Sequence, residues 1–114
     1  MTQPPLNGRI IRDVRVERFA QLEKWGDQHH PDGTDPGQFT EAAQTAQAAN
    51  AQYAESGLLS WSHIMLEEVY EALASAPDSP ELRDEIVQIM AVCSAWLEDF
   101  DSRRPSNGRP VIEP

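Results

Sequence analysis

The stretch Ser79–Phe100, SPELRDEIVQIMAVCSAWLEDF, decides the fold class. Ser79 is a candidate N-cap. Pro80 takes the first helical position, where its missing N–H is no loss, and Glu81 sets an acid in the first turn. Leu82, Ile86, Ile89, Cys93, Trp96 and Phe100 then recur at spacings of three or four, with Leu97 four residues after Cys93. This pattern predicts one strongly amphipathic helix of about five turns, suited to packing in a bundle.

Working back from it, SAPDSP reads as a turn, and Ser60 as the cap of a preceding helix whose Trp61, Met65, Leu66, Val69 and Leu73 share an apolar side. The alanine-rich run from Thr40 to Ala54 has high helix propensity and little bulk, and Gly57 ends it. A first helix is expected from Ile11 to Trp25, with Ile11, Val14, Leu22 and Trp25 on one side, Phe19 at the margin and Gly26 as the stop. The following loop, DQHHPDGTDPG, is broken by Pro31, Gly33, Pro36 and Gly37. No alternating strand pattern occurs, so the class is all-α. The expected architecture is a bundle of about four helices over residues 11–102, with a flexible lead-in at 1–10 and a flexible tail at 103–114.

A chain of 114 residues with 39% hydrophobic content supports one domain with a modest core. No stretch has the apolar length of a signal peptide core or of a membrane helix, so a cytoplasmic location with no membrane contact is expected. Cys93 is the single cysteine; set among Met90, Trp96 and Leu97, it reads as a small buried hydrophobe. The net charge of -10 argues against nonspecific nucleic-acid binding, which needs cationic side chains against the phosphates. It leaves nucleotides open, because acids that hold divalent cations turn a repulsive surface into one that attracts phosphate.

The acids of Glu67-Glu68-Val69-Tyr70-Glu71 have that potential. Glu67 and Glu71 are i, i+4 neighbours and Glu68 and Glu71 are i, i+3 neighbours, so all three project within an arc of about 100 degrees. No Lys or Arg lies within one turn to relieve them. On the next helix Glu85 and Gln88 are i, i+3 neighbours flanking the apolar seam, with Glu81 one turn earlier. Packing through the short turn would gather these oxygens into a set favoured by Mg²⁺ or Mn²⁺. Taken alone, EExxE also reads as a solvated acidic face. On the first helix Glu17, Gln21, Lys24 and, if the helical phase continues, Gln28 make a polar stripe that reads either as a ligand wall or as ordinary surface. His29 and His30, beside Pro31, read as turn elements rather than metal ligands.

Three segments, ERFAQLEKWGDQHHPDGT (17–34), WSHIMLEEVYEAL (61–73) and LRDEIVQIMAVCSAWLE (82–98), together resemble the MazG-like branch of the all-α nucleoside triphosphate pyrophosphohydrolases. That family carries EExxE followed by ExxD on the next helix. The first half matches here; in the second, Gln88 stands where aspartate is expected. The resemblance implies that Glu68, Glu71 and Glu85 are metal ligands and that Glu67 is a ligand or the acceptor of the attacking water's proton. Gln88 would occupy the remaining ligand position. It implies Mg²⁺, with Mn²⁺ as an alternative, and hydrolysis of a nucleoside triphosphate to monophosphate and pyrophosphate. Gln21, Lys24 and Arg18 would contact substrate, with Arg103 and Arg104 as further helpers. Trp25 would stack on a base, although a tryptophan ending an amphipathic helix also reads as core.

The apolar surface on so few helices, with Trp61, Ile89, Trp96, Leu97 and Phe100 all needing cover, predicts a homo-oligomer. The resemblance implies a dimer or tetramer with sites lined by more than one subunit. Two other readings remain open: the same fold acting on a guanosine alarmone or other nucleotide derivative, and a non-catalytic helical interaction module.

Overall fold

The computed structural model describes residues 7–104, and among them it is all-helical, with the order α1 (Gly8–Trp25), α2 (Pro36–Ser56), α3 (Trp61–Leu73) and α4 (Pro80–Ser102). Most of the expected lead-in and tail lies outside the described residues. The chain divides into two compact units, one of residues 31–93 and the other of the residues up to His30 with those from Ser94 onward. No described helix is long and apolar enough to cross a membrane.

Each helix starts where a side chain can accept the free N–H groups of the first turn. Ser60 caps α3 in a reciprocal box with His63, whose Nδ1 accepts from the Ser60 backbone N–H at 3.1 Å. Ser79 Oγ accepts from Leu82 N at 3.1 Å. Both starts follow the sequence expectation.

The other two helices start earlier than expected. α1 begins at Gly8 because Asn7 Oδ1 accepts from Ile10 N at 2.9 Å, which draws Gly8, Arg9 and the buried Ile10 into the helix. α2 begins at Pro36 because Asp35 Oδ1 accepts from Gly37 N at 2.9 Å. Pro36 is therefore a first-turn residue, where its missing N–H leaves nothing unpaired, and not a breaker. At the other end Gly57 adopts φ 76, a left-handed closure that suits glycine.

In the unit of residues 31–93, α2 runs antiparallel to α3. The start of α2 meets the end of α3 through Asp35 N to Leu73 O at 2.8 Å. Its later part meets the start of α3 through Asn50 and through Tyr53, whose ring stacks on His63 at 4.2 Å and 5°. The turn after α3 is tied down by Asp32, whose Oδ2 accepts from Asp78 N at 2.7 Å while Asp78 takes φ 52. Ala72 and Leu82 are the buried apolar side chains of this unit.

In the other unit α1 buries Ile10 and pairs Arg9 with Asp101 at 3.6 Å. Its expected apolar face stays in solvent: Ile11, Val14, Phe19, Leu22 and Trp25 are all exposed. Cys93 is only partly buried, and its neighbours Met90 and Leu97 are exposed.

Candidate metal centre

Helical geometry brings Glu67, Glu68 and Glu71 of α3 to one side, and each offers a carboxylate oxygen within 4.8 Å of the others. Glu85, in the second turn of α4, completes the group. It raises the proton affinity of Glu68 and of Glu71 through its charge, and it shares a hydrogen bond with Glu71. Four acids from two helices are therefore neighbours. Spacing along α3 sets the first three side by side, and Glu85, which the sequence expects to approach through the short turn, lies next to them across residues 74–79.

The electrostatics follow from that crowding. Glu71 is pushed up to about 7, first by burial, then by the charges of Glu68, Glu85 and Glu67, and by the hydrogen bond with Glu85. Glu68 is also raised, by burial first and then by Glu85 and Glu67. One oxygen of Glu68 and one of Glu85, both Oε2, are sealed from solvent without a hydrogen-bond partner. An anionic oxygen in that condition is costly unless a cation or proton meets it.

The donor set fits a hard divalent ion. It consists of carboxylate oxygens, with no sulfur and no imidazole among the grouped residues. Gln88, expected beside Glu85, is exposed on α4. If its side chain reaches the ion, Gln88→Asp should lower the metal concentration for half-maximal response, since it supplies an anionic oxygen in place of a neutral one. An unchanged Mn²⁺ titration followed by calorimetry would place position 88 outside the shell.

The structure also brings in a residue that the sequence reading passed over. Asn50 of α2 donates from Nδ2 to Glu67 Oε1 at 3.0 Å and to the His63 carbonyl at 2.8 Å. Propensity alone does not single it out, because Thr45 and Tyr53 in the same run AAQTAQAANAQYA rank with asparagine as helix formers.

The residues expected to hold substrate lie on α1, in the other unit. Arg18 Nη1 donates to Gln21 Oε1 at 2.6 Å, and the Lys24 ammonium sits 4.9 Å from the centre of the Trp25 ring. Trp25 is 62% exposed, so the core role considered for it does not hold. Glu17 is exposed as well. Gln28 does not extend the polar stripe, because the helix stops at Trp25 and Gly26 turns the chain with φ 71; it pairs with His30 instead, at 3.0 Å. His29 likewise pairs locally, with Asp27 at 3.0 Å. Arg103 meets Asp99 at 3.6 Å and Arg104 lies over Phe100 at 4.5 Å, so both tail arginines contact their own helix end.

An open groove of about 540 Å³ runs between α2 and α3, lined by Ala42, Ala46 and Ala49 on one side and Leu66 and Tyr70 on the other. Its only acid is Glu41, and none of the four grouped glutamates lines it. This groove and the four grouped glutamates therefore do not share lining residues. Comparison with protein-family models, with curated proteins and with solved structures gives no match in any of the three.

Proposed function

We propose that this chain is a metal-dependent nucleotide pyrophosphohydrolase of the MazG-like kind, converting a nucleoside triphosphate to its monophosphate and pyrophosphate. The observation that carries the reading is the meeting of Glu67, Glu68 and Glu71 with Glu85, where two carboxylate oxygens are sealed and unpartnered. Glu68, Glu71 and Glu85 would hold the ions. Bound Mg²⁺ or Mn²⁺ would offset the triphosphate's charge and make a water more acidic.

Glu67 is the proton acceptor in this scheme. As the water oxygen forms its bond to the α-phosphorus, the bond from that phosphorus to the bridging oxygen breaks and pyrophosphate leaves. The water's proton passes to a Glu67 oxygen. Lys24 and Arg18 would steady phosphate oxygens, while Gln21 and Trp25 would face the nucleoside.

The working unit in this reading is a homo-oligomer, a dimer or a tetramer. Supporting it is the sparse core: the only buried hydrophobic residues among those described are Ile10, Ala72 and Leu82, while Ile86, Val87, Met90 and Leu97 of α4 join the apolar side chains of α1 in solvent. Association would remove much of this surface from water, and Lys24 of one copy would then serve the glutamates of another.

The test is a panel of canonical and modified nucleoside triphosphates, with a guanosine alarmone included, incubated with Mg²⁺ or Mn²⁺. Monophosphate and pyrophosphate in equal amounts are expected from at least one triphosphate, with nothing in EDTA. Release of orthophosphate, or cleavage of the alarmone alone, would replace the proposed reaction. Turnover per chain should fall on dilution, and mixed oligomers of Lys24→Ala and Glu71→Gln chains should regain part of the activity lost by each. A monomer by light scattering with constant turnover per chain would remove the shared site.

A further inference from the structure

We propose that Asn50 is the positioning residue of the glutamate group: it holds Glu67 by one carboxylate oxygen, so that the other faces the group as a proton acceptor and Glu67 does not chelate the ion. The inference rests on the hydrolytic reading given above. It is carried by contacts from α2, a helix that supplies none of the four acids.

Asn50 Nδ2 has two N–H groups, and both are used, one on Glu67 Oε1 at 3.0 Å and one on the His63 carbonyl at 2.8 Å. The orientation of the amide follows from its partners. Both are acceptors, so a flipped amide would set an oxygen against two oxygens. The His63 carbonyl already receives a helical N–H within α3, and a carbonyl has a second lone pair for Asn50. His63 and Glu67 are i, i+4 neighbours on the face of α3 turned to α2, so one side chain spans both.

The anchor is itself held in place. His63 closes the cap of α3 with Ser60, and its ring stacks on Tyr53 one turn along α2 from Asn50. Asp35 N to Leu73 O then fastens the far end of the same helix pair. The register of α2 against α3 is therefore set at both ends, and Asn50 stays opposite Glu67.

The consequence for Glu67 is geometric. Glu67 already has an oxygen within 4.8 Å of those of Glu68 and Glu71, and with Oε1 held by α2 it could take a cation through both oxygens only by giving up the Asn50 bond. Glu68, Glu71 and Glu85 are left to bind the ion. Glu67 keeps a free oxygen at a fixed place beside them, as a proton acceptor requires.

The experiment uses the full chain as wild type, Asn50→Ala, Glu67→Gln and the double variant. Three measurements are made: Mn²⁺ affinity by calorimetry, melting of the metal-free protein, and kcat and KM on the best triphosphate of the panel. Asn50→Ala should lower kcat by about ten- to a hundredfold, the scale of a misplaced reacting group, with KM little changed. Its Mn²⁺ affinity should equal or exceed the wild type's, because a released Glu67 can join the ion. In the Glu67→Gln background Asn50→Ala should lower kcat no further.

Asn50→Leu keeps the side-chain outline without the donors and without a charge against Glu67, favours helix, and should reproduce the kcat loss, which covers the case in which the alanine variant folds poorly. The inference is overturned by normal kcat in Asn50→Ala, by Mn²⁺ affinity and kcat falling together, or by an equal loss with Glu67 already replaced. A wild type inactive across the panel removes the hydrolytic reading and the positioning role with it. An active wild type matched by Asn50→Ala removes the positioning role alone.

Discussion

Glu71→Gln is expected to abolish metal-dependent turnover, a loss larger than the 10- to roughly 100-fold that follows removal of a metal's outer partners. The same change should leave the fold intact and raise the melting temperature of the metal-free protein. Glu71 is partly buried and meets like charge from Glu68, Glu85 and Glu67. Glutamine has the shape of its protonated form and no charge to repel. The gain should be near zero at pH 5, where Glu71 is already protonated, and on the order of 1 kcal/mol at pH 8, allowing for solvent around a partly exposed group. Paired melts at the two pH values, run in EDTA, measure it. Glu71→Gln with normal turnover would end the assignment of Glu71 as a ligand.

In the metal-free protein, stability should fall as pH rises from about 5 to about 8, and added Mn²⁺ should reverse the fall. The folded chain holds a proton on Glu71 up to about pH 7, whereas an unfolded glutamate releases it near 4.5. Between those values the native state binds more protons, so raising the pH favours unfolding. Glu68, raised in the same direction, adds to the slope. Bound cation takes the proton's place, and its stabilisation should grow with pH because the ligands must be ionised. A change of a few degrees in melting temperature is the expected scale for a domain of this size, at about 4–8 °C per kcal/mol. A flat profile in EDTA, or a Mn²⁺ effect that shrinks as pH rises, would contradict the crowding of these four acids.

Ser60 and Ser79 signalled the starts of α3 and α4 because a cap acts within one turn, and the heptad-like spacing after Leu82 gave a helix because a helix face repeats every 3.6 residues. The adjacency of Glu67, Glu68 and Glu71 is of the same local kind and was legible in full. Asn7 and Asp35 were caps too, but Gly8 and the Pro36-Gly37 pair masked them, and both helices were expected to start late.

What lies beyond one turn was settled only in three dimensions. Periodicity says which side of a helix is apolar, but not whether another element arrives to cover it, and Ile11, Val14, Leu22 and Trp25 remain exposed in spite of their spacing. Glu85 joins the acids of α3 because the turn at 74–79, tied by Asp32 to Asp78, delivers the second turn of α4 beside them. Asn50 reaches Glu67 across seventeen residues because α2 lies antiparallel along α3. Local spacing alone established four helices, two of them with their caps, and a repulsive acidic face. Tertiary packing decided that Glu85, the expected fourth carboxylate, reaches that face and that the Asn50 amide meets it too, because contacts between helices depend on turn geometry and register, which spacing along one helix does not encode.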